Sequence, residues 1–213
     1  MKQEISVEIE GAAHGAFLSI PEGATGIVLF AHGSGSSRQS PRNQYVAEMI
    51  QERGLATLLI DLLSEEEEKE DQMTRAMRFD ISMLSKRLVH IVDWLWSDEK
   101  TKGLKIGLFG SSTGAAAALV AAAELKNRVG AVVSRGGRTD LAGSDLPNVV
   151  CPTLFIVGGN DVGVIELNES AFHELRCKKQ LQIVEGATHL FEESGTLKEV
   201  AKLTREWFYK HLR

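Results

Sequence analysis

The chain has 213 residues, 43% of them hydrophobic and 25% charged, with a formal net charge of −5. That length suits one full domain and is short for two, and the mixture is that of an ordinary globular protein rather than a disordered or fibrous one. Nucleic-acid and membrane-surface partners normally require a basic field, so the acidic balance disfavours both.

Residues 3–10 (QEISVEIE) alternate apolar and polar, as a half-exposed strand does. Nothing in this stretch resembles the apolar core of a signal peptide. Gly11 to Gly15 reads as a turn, and residues 16–20 (AFLSI) as the hairpin partner. Beyond Pro21 the pattern changes. Short continuous apolar runs at 26–31, 56–60, 104–109, 130–134, 153–157 and 180–184 predict strands covered on both faces. Helical patterns lie between them at 43–53, 79–97, 113–125, 165–176 and 196–212. The second of these places Ile81, Leu84, Leu88, Ile91, Val92 and Leu95 on one face. The acidic run 65–71 (EEEEKED) reads as a solvated loop or helix start and is assigned no function.

Strands alternating with helices predict crossover units. The expected fold is therefore α/β: a mostly parallel sheet of about eight strands in a single domain over 1–213, opened by an antiparallel hairpin at its edge. No run approaches the roughly 18 apolar residues of a spanning helix. Cys151 and Cys177 have neither a disulfide framework nor the paired spacing of a zinc site. A reducing cytoplasm is the expected location, and no metal is expected.

The most informative segment is 106–118, IGLFGSSTGAAAA. It reads as strand, then Gly110-Ser111-Ser112-Thr113-Gly114, then helix. This is the G-x-S-x-G nucleophile elbow in the context that the motif requires. The strand must turn sharply into the helix while holding Ser112 outward, and the residues two before and two after it approach closely. Glycine meets that need at both places. A phosphate-binding P-loop would end in Gly-Lys-Ser/Thr, whereas Gly114 is followed by Ala115. A dinucleotide fingerprint needs G-x-G-x-x-G, and neither Gly107, Gly110 and Gly114 nor Gly33 and Gly35 fit it.

A serine hydroxyl needs an adjacent base, and elbow hydrolases place the acid and then the histidine downstream. Strand 153–157 runs into Gly158-Gly159-Asn160-Asp161, and strand 180–184 ends in Glu185-Gly186-Ala187-Thr188-His189. Asp161 and His189 therefore stand at strand ends in the right order. Asp140 and Asp145 also follow a strand and are rivals to Asp161. His14 lies in the N-terminal turn, His90 and His173 lie within helices, and His211 is near the C-terminus. An oxyanion hole needs two backbone N–H groups. Thr113 is the expected first donor. Ser34, in the loop His32-Gly33-Ser34-Gly35-Ser36-Ser37, is the expected second. His32 reads as a buried support for that loop.

Together AHGSGSS, GLFGSSTGAAAA, GGND and GATHLF resemble the dienelactone hydrolase group of α/β-hydrolases, and most closely small bacterial members with an SRGGRTDLAG-like segment. The resemblance spans nearly the whole chain. It implies the α/β-hydrolase fold, a Ser112–Asp161–His189 triad, and no metal or organic cofactor. Dienelactone hydrolase itself uses a cysteine nucleophile, and this chain has serine at 112, so ester hydrolysis in general is implied rather than dienelactone chemistry.

Segment 134–143, SRGGRTDLAG, follows a strand at the triad's edge of the sheet. Arg135 and Arg138 there could meet a substrate carboxylate or phosphate, or could tie the loop to nearby acids. The short connection from 135 to 152 leaves no room for a large cap domain. The expected activity is hydrolysis of small carboxylic esters through an acyl-enzyme. A thioesterase or amidase with the same triad and a non-enzymatic binding module are the alternatives. The expected partner is a small-molecule ester, and the protein is expected to be a monomer or small homo-oligomer.

Overall fold

A computed structural model describes residues 2–213. Among the described residues, eight strands form one sheet in the order β1-β2-β4-β3-β5-β6-β7-β8. They are β1 (Lys2–Ile9), β2 (Ala12–Ser19), β3 (Gly26–Ala31), β4 (Ala56–Ile60), β5 (Lys105–Ser111), β6 (Val129–Arg135), β7 (Thr153–Gly158) and β8 (Lys179–Val184). β2 is antiparallel to both β1 and β4, and the pairings from β4 to β8 are all parallel. The helices are α1 (Pro41–Gln51), α2 (Glu65–Thr74), α3 (Ile81–Ser97), α4 (Thr113–Leu125), α5 (Val162–Glu174) and α6 (Thr196–His211). This is the α/β architecture expected. A run of 3-10 turns over Thr139–Asn148 spans the connection that a cap domain would otherwise fill.

The continuous apolar strands follow from burial on both faces. In β3, Ile27, Leu29 and Ala31 enter the core shared with α3 and α4, and Val28 and Phe30 enter the core shared with α1 and α6. Gly107 in β5 makes room for Phe208, since a Cβ there would lie 2.7 Å from that ring.

Three local readings are corrected. The hairpin turn is Glu10-Gly11, with φ of 53° and 83° and Ile9 paired to Ala12, so β2 begins at residue 12. Two left-handed residues make the tight turn whose twist matches the flanking strands. His14 therefore lies inside β2, buried, with its Nδ1 2.9 Å from the Asp61 carbonyl oxygen. α1 begins two residues earlier than expected, because Ser40 caps it and Pro41 occupies the first turn, where a missing N–H costs nothing. The acidic run forms α2. Ser64 and Glu67 close a capping box, and four consecutive glutamates occupy the first turn, where the helix dipole favours negative charge. Not all of that run is solvated: Asp71 is fully buried and pairs with Arg78 at 2.5 Å, and Glu67 pairs with Arg87 at 2.5 Å.

Candidate active site

Ser112 joins β5 to α4 at φ 50° and ψ −120°. A non-glycine residue there is strained, and the surrounding contacts hold it in place. A Cβ on Gly110 would lie 2.6 Å from Gly114 O and 2.7 Å from Ala115 N. One on Gly114 would lie 2.7 Å from Ala31 C and closer still to the carbonyl oxygens of Ala31 and His32. Both glycines are thus required by close backbone approach. Ala115 to Ala118 are fully buried where α4 packs on the sheet.

The SRGG segment grips the elbow from its other side. Ser112 N–H donates to Arg135 O at 3.2 Å, and Arg138 N–H donates to Ser112 O at 3.0 Å. Asn168 Nδ2 holds Gly137 O at 2.8 Å. Gly136, at φ 53°, lies against the imidazole of His189: a Cβ there would be 3.4 Å from its Nδ1 and Cε1. This clamping role was not apparent in the sequence. The Gly-Gly pair was its signal.

The acid and histidine loops are stitched together by backbone. Gly159 N–H donates to Val184 O at 2.8 Å, Asn160 N–H to Ala187 O at 2.9 Å, and Asn160 Nδ2 to Gly186 O at 3.0 Å. Thr188 is fixed in turn by Glu193, through its hydroxyl at 2.6 Å and its N–H at 3.1 Å. In that frame His189 Nδ1 meets Asp161 Oδ2 at 2.6 Å. With Asp161 accepting, the Nδ1 proton is fixed and Nε2 is the nitrogen left for a reacting group. Asp140, one of the rivals, is committed to Arg138.

Ser112 and His189 line one open pocket of about 540 Å³, together with residues 33–37, Arg42, Arg135 and Leu190. Among the described residues, Ser112 Oγ makes no hydrogen bond to the imidazole. Such bonds often tighten only when substrate is bound. Thr113 opens α4, where its N–H has no partner within the helix. Ser34 N–H donates to Thr113 Oγ1 at 3.0 Å, so in this structure it is turned to that hydroxyl. His32 is committed on both nitrogens. Leu62 N–H donates to Nε2 at 3.0 Å, which leaves the proton on Nδ1, donated to Gly33 O at 3.0 Å. Burial holds its pKa below the ordinary value, so it stays neutral and supports the loop. Arg138 gives its fork to Asp140 at 2.9 and 2.8 Å. Arg135 stays at the pocket.

An elbow at the carboxyl end of a central parallel strand, facing a histidine on the last strand's loop, defines an α/β-hydrolase. Residues 15–210 match the sequence model of the dienelactone hydrolase family, and the chain belongs to that family. The crystal structure of dienelactone hydrolase from Anabaena variabilis ATCC 29413 is similar over 100% of this chain and 99% of its own, with 58% identity and a TM-score of 0.98. Est1E from Butyrivibrio proteoclasticus shares the fold, with a TM-score of 0.82 and 14% identity over 98% of each chain. Two Mycobacterium tuberculosis proteins, from strains CDC 1551 / Oshkosh and ATCC 25618 / H37Rv, are 54% identical over 210 residues. Their names propose a phosphoribosyl transferase. The match covers 99% of this chain and 46% of theirs, so the chain spans about half the length of these curated relatives.

Proposed function

We propose that this hydrolase cleaves small carboxylic esters through a Ser112 acyl-enzyme. The supporting observation is one strained serine that lines the same pocket as a histidine whose Nδ1 is bound by Asp161 at 2.6 Å. His189 Nε2 takes the Ser112 proton as Oγ attacks the ester carbonyl carbon. Asp161 holds the imidazole tautomer and stabilises the imidazolium. The tetrahedral oxyanion is held by Thr113 N–H and by Ser34 N–H, which Thr113 Oγ1 must yield or share. Collapse expels the alcohol, protonated by His189. Water, activated by the same imidazole, then releases the acid.

The phosphoribosyl transfer in the names of the mycobacterial relatives describes whole proteins of which this chain matches under half. The family shares the hydrolase reading directly. Ser112→Ala tested against a short-chain nitrophenyl ester is the decisive variant. Turnover should fall at least a thousandfold, leaving only what the hole and binding supply. Unchanged turnover would refute Ser112 as nucleophile.

A further inference from the structure

The hydroxyl of Thr113 is committed to the neighbouring loop. Thr113 opens α4 directly after Ser112 and is buried, and its Oγ1 accepts the Ser34 N–H at 3.0 Å. Among the described residues, neither that hydroxyl nor that N–H makes another hydrogen bond. Ser34 sits in a tight turn: Ser36 N–H donates to Gly33 O at 3.1 Å, and Gly35 has φ 68°. That places Ser34 second and glycine third in a type II turn. The turn leans on the elbow, since a Cβ on Gly33 would lie 3.0 Å from Ser112 Cβ and 3.1 Å from Ser111 O. Leu62, Leu63 and Leu84 help line a hollow of about 10 Å³ beside Ser34 and Thr113, the lower limit for a single water. Water therefore competes poorly for the bond between them.

One residue thus governs both donors assigned to the oxyanion hole. Thr113 supplies its own N–H, and its side chain holds the N–H of Ser34. The span between the two donors is then set by one side-chain torsion and one hydrogen bond. Threonine is stiff at that torsion because it is branched at Cβ. Ser34 is otherwise exposed, and among the described residues this bond alone ties its amide to the elbow. Stabilisation of an oxyanion depends on donors that are fixed before the charge develops.

We propose that the Thr113 hydroxyl is a positioning group for the oxyanion hole. It holds the Ser34 N–H at a fixed span from the Thr113 N–H, and shares that N–H in a three-centre bond once the oxyanion forms. Its part in turnover rests on the acyl-transfer reading; the hydrogen bond itself does not.

The test is a double-mutant cycle on a short-chain nitrophenyl ester. Thr113→Val keeps the side-chain shape and removes the acceptor. Its kcat should fall about ten- to a hundredfold with KM little changed, less than the roughly 10²- to 10³-fold cost of deleting a hole donor outright. Thr113→Ser keeps the oxygen and should restore most of the loss, and Thr113→Ala covers a valine variant that does not fold. Ser34→Pro deletes the donor itself, and proline is favoured second in such a turn. In that background Thr113→Val should cost no more than about twofold, because nothing is left for the hydroxyl to hold. A wild-type kcat in Thr113→Val, a change in KM alone, a serine variant as poor as valine, or losses that multiply in the double variant each overturn the proposal. Amide hydrogen exchange followed by NMR reads the tie without turnover. The Ser34 N–H should be protected in the wild type and exchange faster in Thr113→Val, and an unprotected Ser34 N–H in the wild type overturns the proposal. Ser112→Ala separates the two readings. If it is inactive while Thr113→Val matches wild type, this inference alone fails; if it turns over like wild type, the acyl-transfer reading fails and takes this inference with it.

Discussion

Gly114→Ala and Gly163→Ala make the same chemical change with opposite expected signs. At Gly114 the new methyl would lie 2.7 Å from Ala31 C and closer to two carbonyl oxygens, all backbone at the end of β3 and the loop after it. No flexible side chain is there to give way. Overpacking of a filled interior costs about 1–3 kcal/mol, and rigid backbone on the receiving side places this case at about 3 kcal/mol. For a chain of this size each kcal/mol moves Tm by about 2–4 °C, so Tm should fall by about 6–12 °C. At Gly163, in the first turn of α5, an added Cβ meets nothing within 4 Å and φ is not positive. Alanine there restricts the unfolded chain and should raise stability by about 0.4–1 kcal/mol. Thermal unfolding followed by far-UV circular dichroism reads both variants. The Gly114 variant should also lose esterase activity, because relief of the clash displaces the Ser112 elbow. A Gly114→Ala protein as stable as wild type would show that the elbow does not depend on this close approach.

Two further outcomes follow from the geometry. Asp161→Asn should leave the fold intact and lower kcat by about 10³- to 10⁴-fold, since an amide cannot hold the imidazole in the required tautomer; nitrophenyl ester kinetics measure this, and a loss under tenfold would point to another orienting acid. Burial pushes the Asp71 carboxyl up, but hydrogen bonds from the Arg78 side chain and from the Arg78 and Met77 N–H groups outweigh it and hold it below the usual carboxylate value. A depressed folded pKa gives stability that is present above the unfolded value, about 3.9, and is lost as pH falls through the folded one. Asp71→Asn should therefore cost about 3 kcal/mol at pH 7 and less below pH 4, seen as a flatter acid limb in urea unfolding. Parallel acid limbs in the two proteins would contradict this.

The strands of the sheet were legible because double-sided burial leaves continuous apolar runs, as in GIVLFA and TLFIV. The elbow was legible because its glycines answer a local steric demand. Asp161 and His189 stood out as candidates because this topology puts reactive loops at strand carboxyl ends, and the fold brings the two side chains together at 2.6 Å. Other features depend on contacts that local patterning does not carry. The Ser34 N–H is met by a hydroxyl 79 residues away. Arg135 and Arg138 are chemically alike and three residues apart, yet only Arg138 finds an acid, at Asp140. Helix α2 was hidden because its sequence has almost no apolar face. Its end effects, the Ser64–Glu67 box and the glutamates of the first turn, support it instead.

The proposed mechanism requires Ser112 to be an activated nucleophile. Labelling with a fluorophosphonate probe, followed by peptide mass spectrometry, tests it directly. One adduct is expected, on Ser112, forming far more slowly in His189→Ala protein, which lacks the base. Absence of the adduct from Ser112, or a Ser112 adduct that forms as fast in His189→Ala as in wild type, would contradict this.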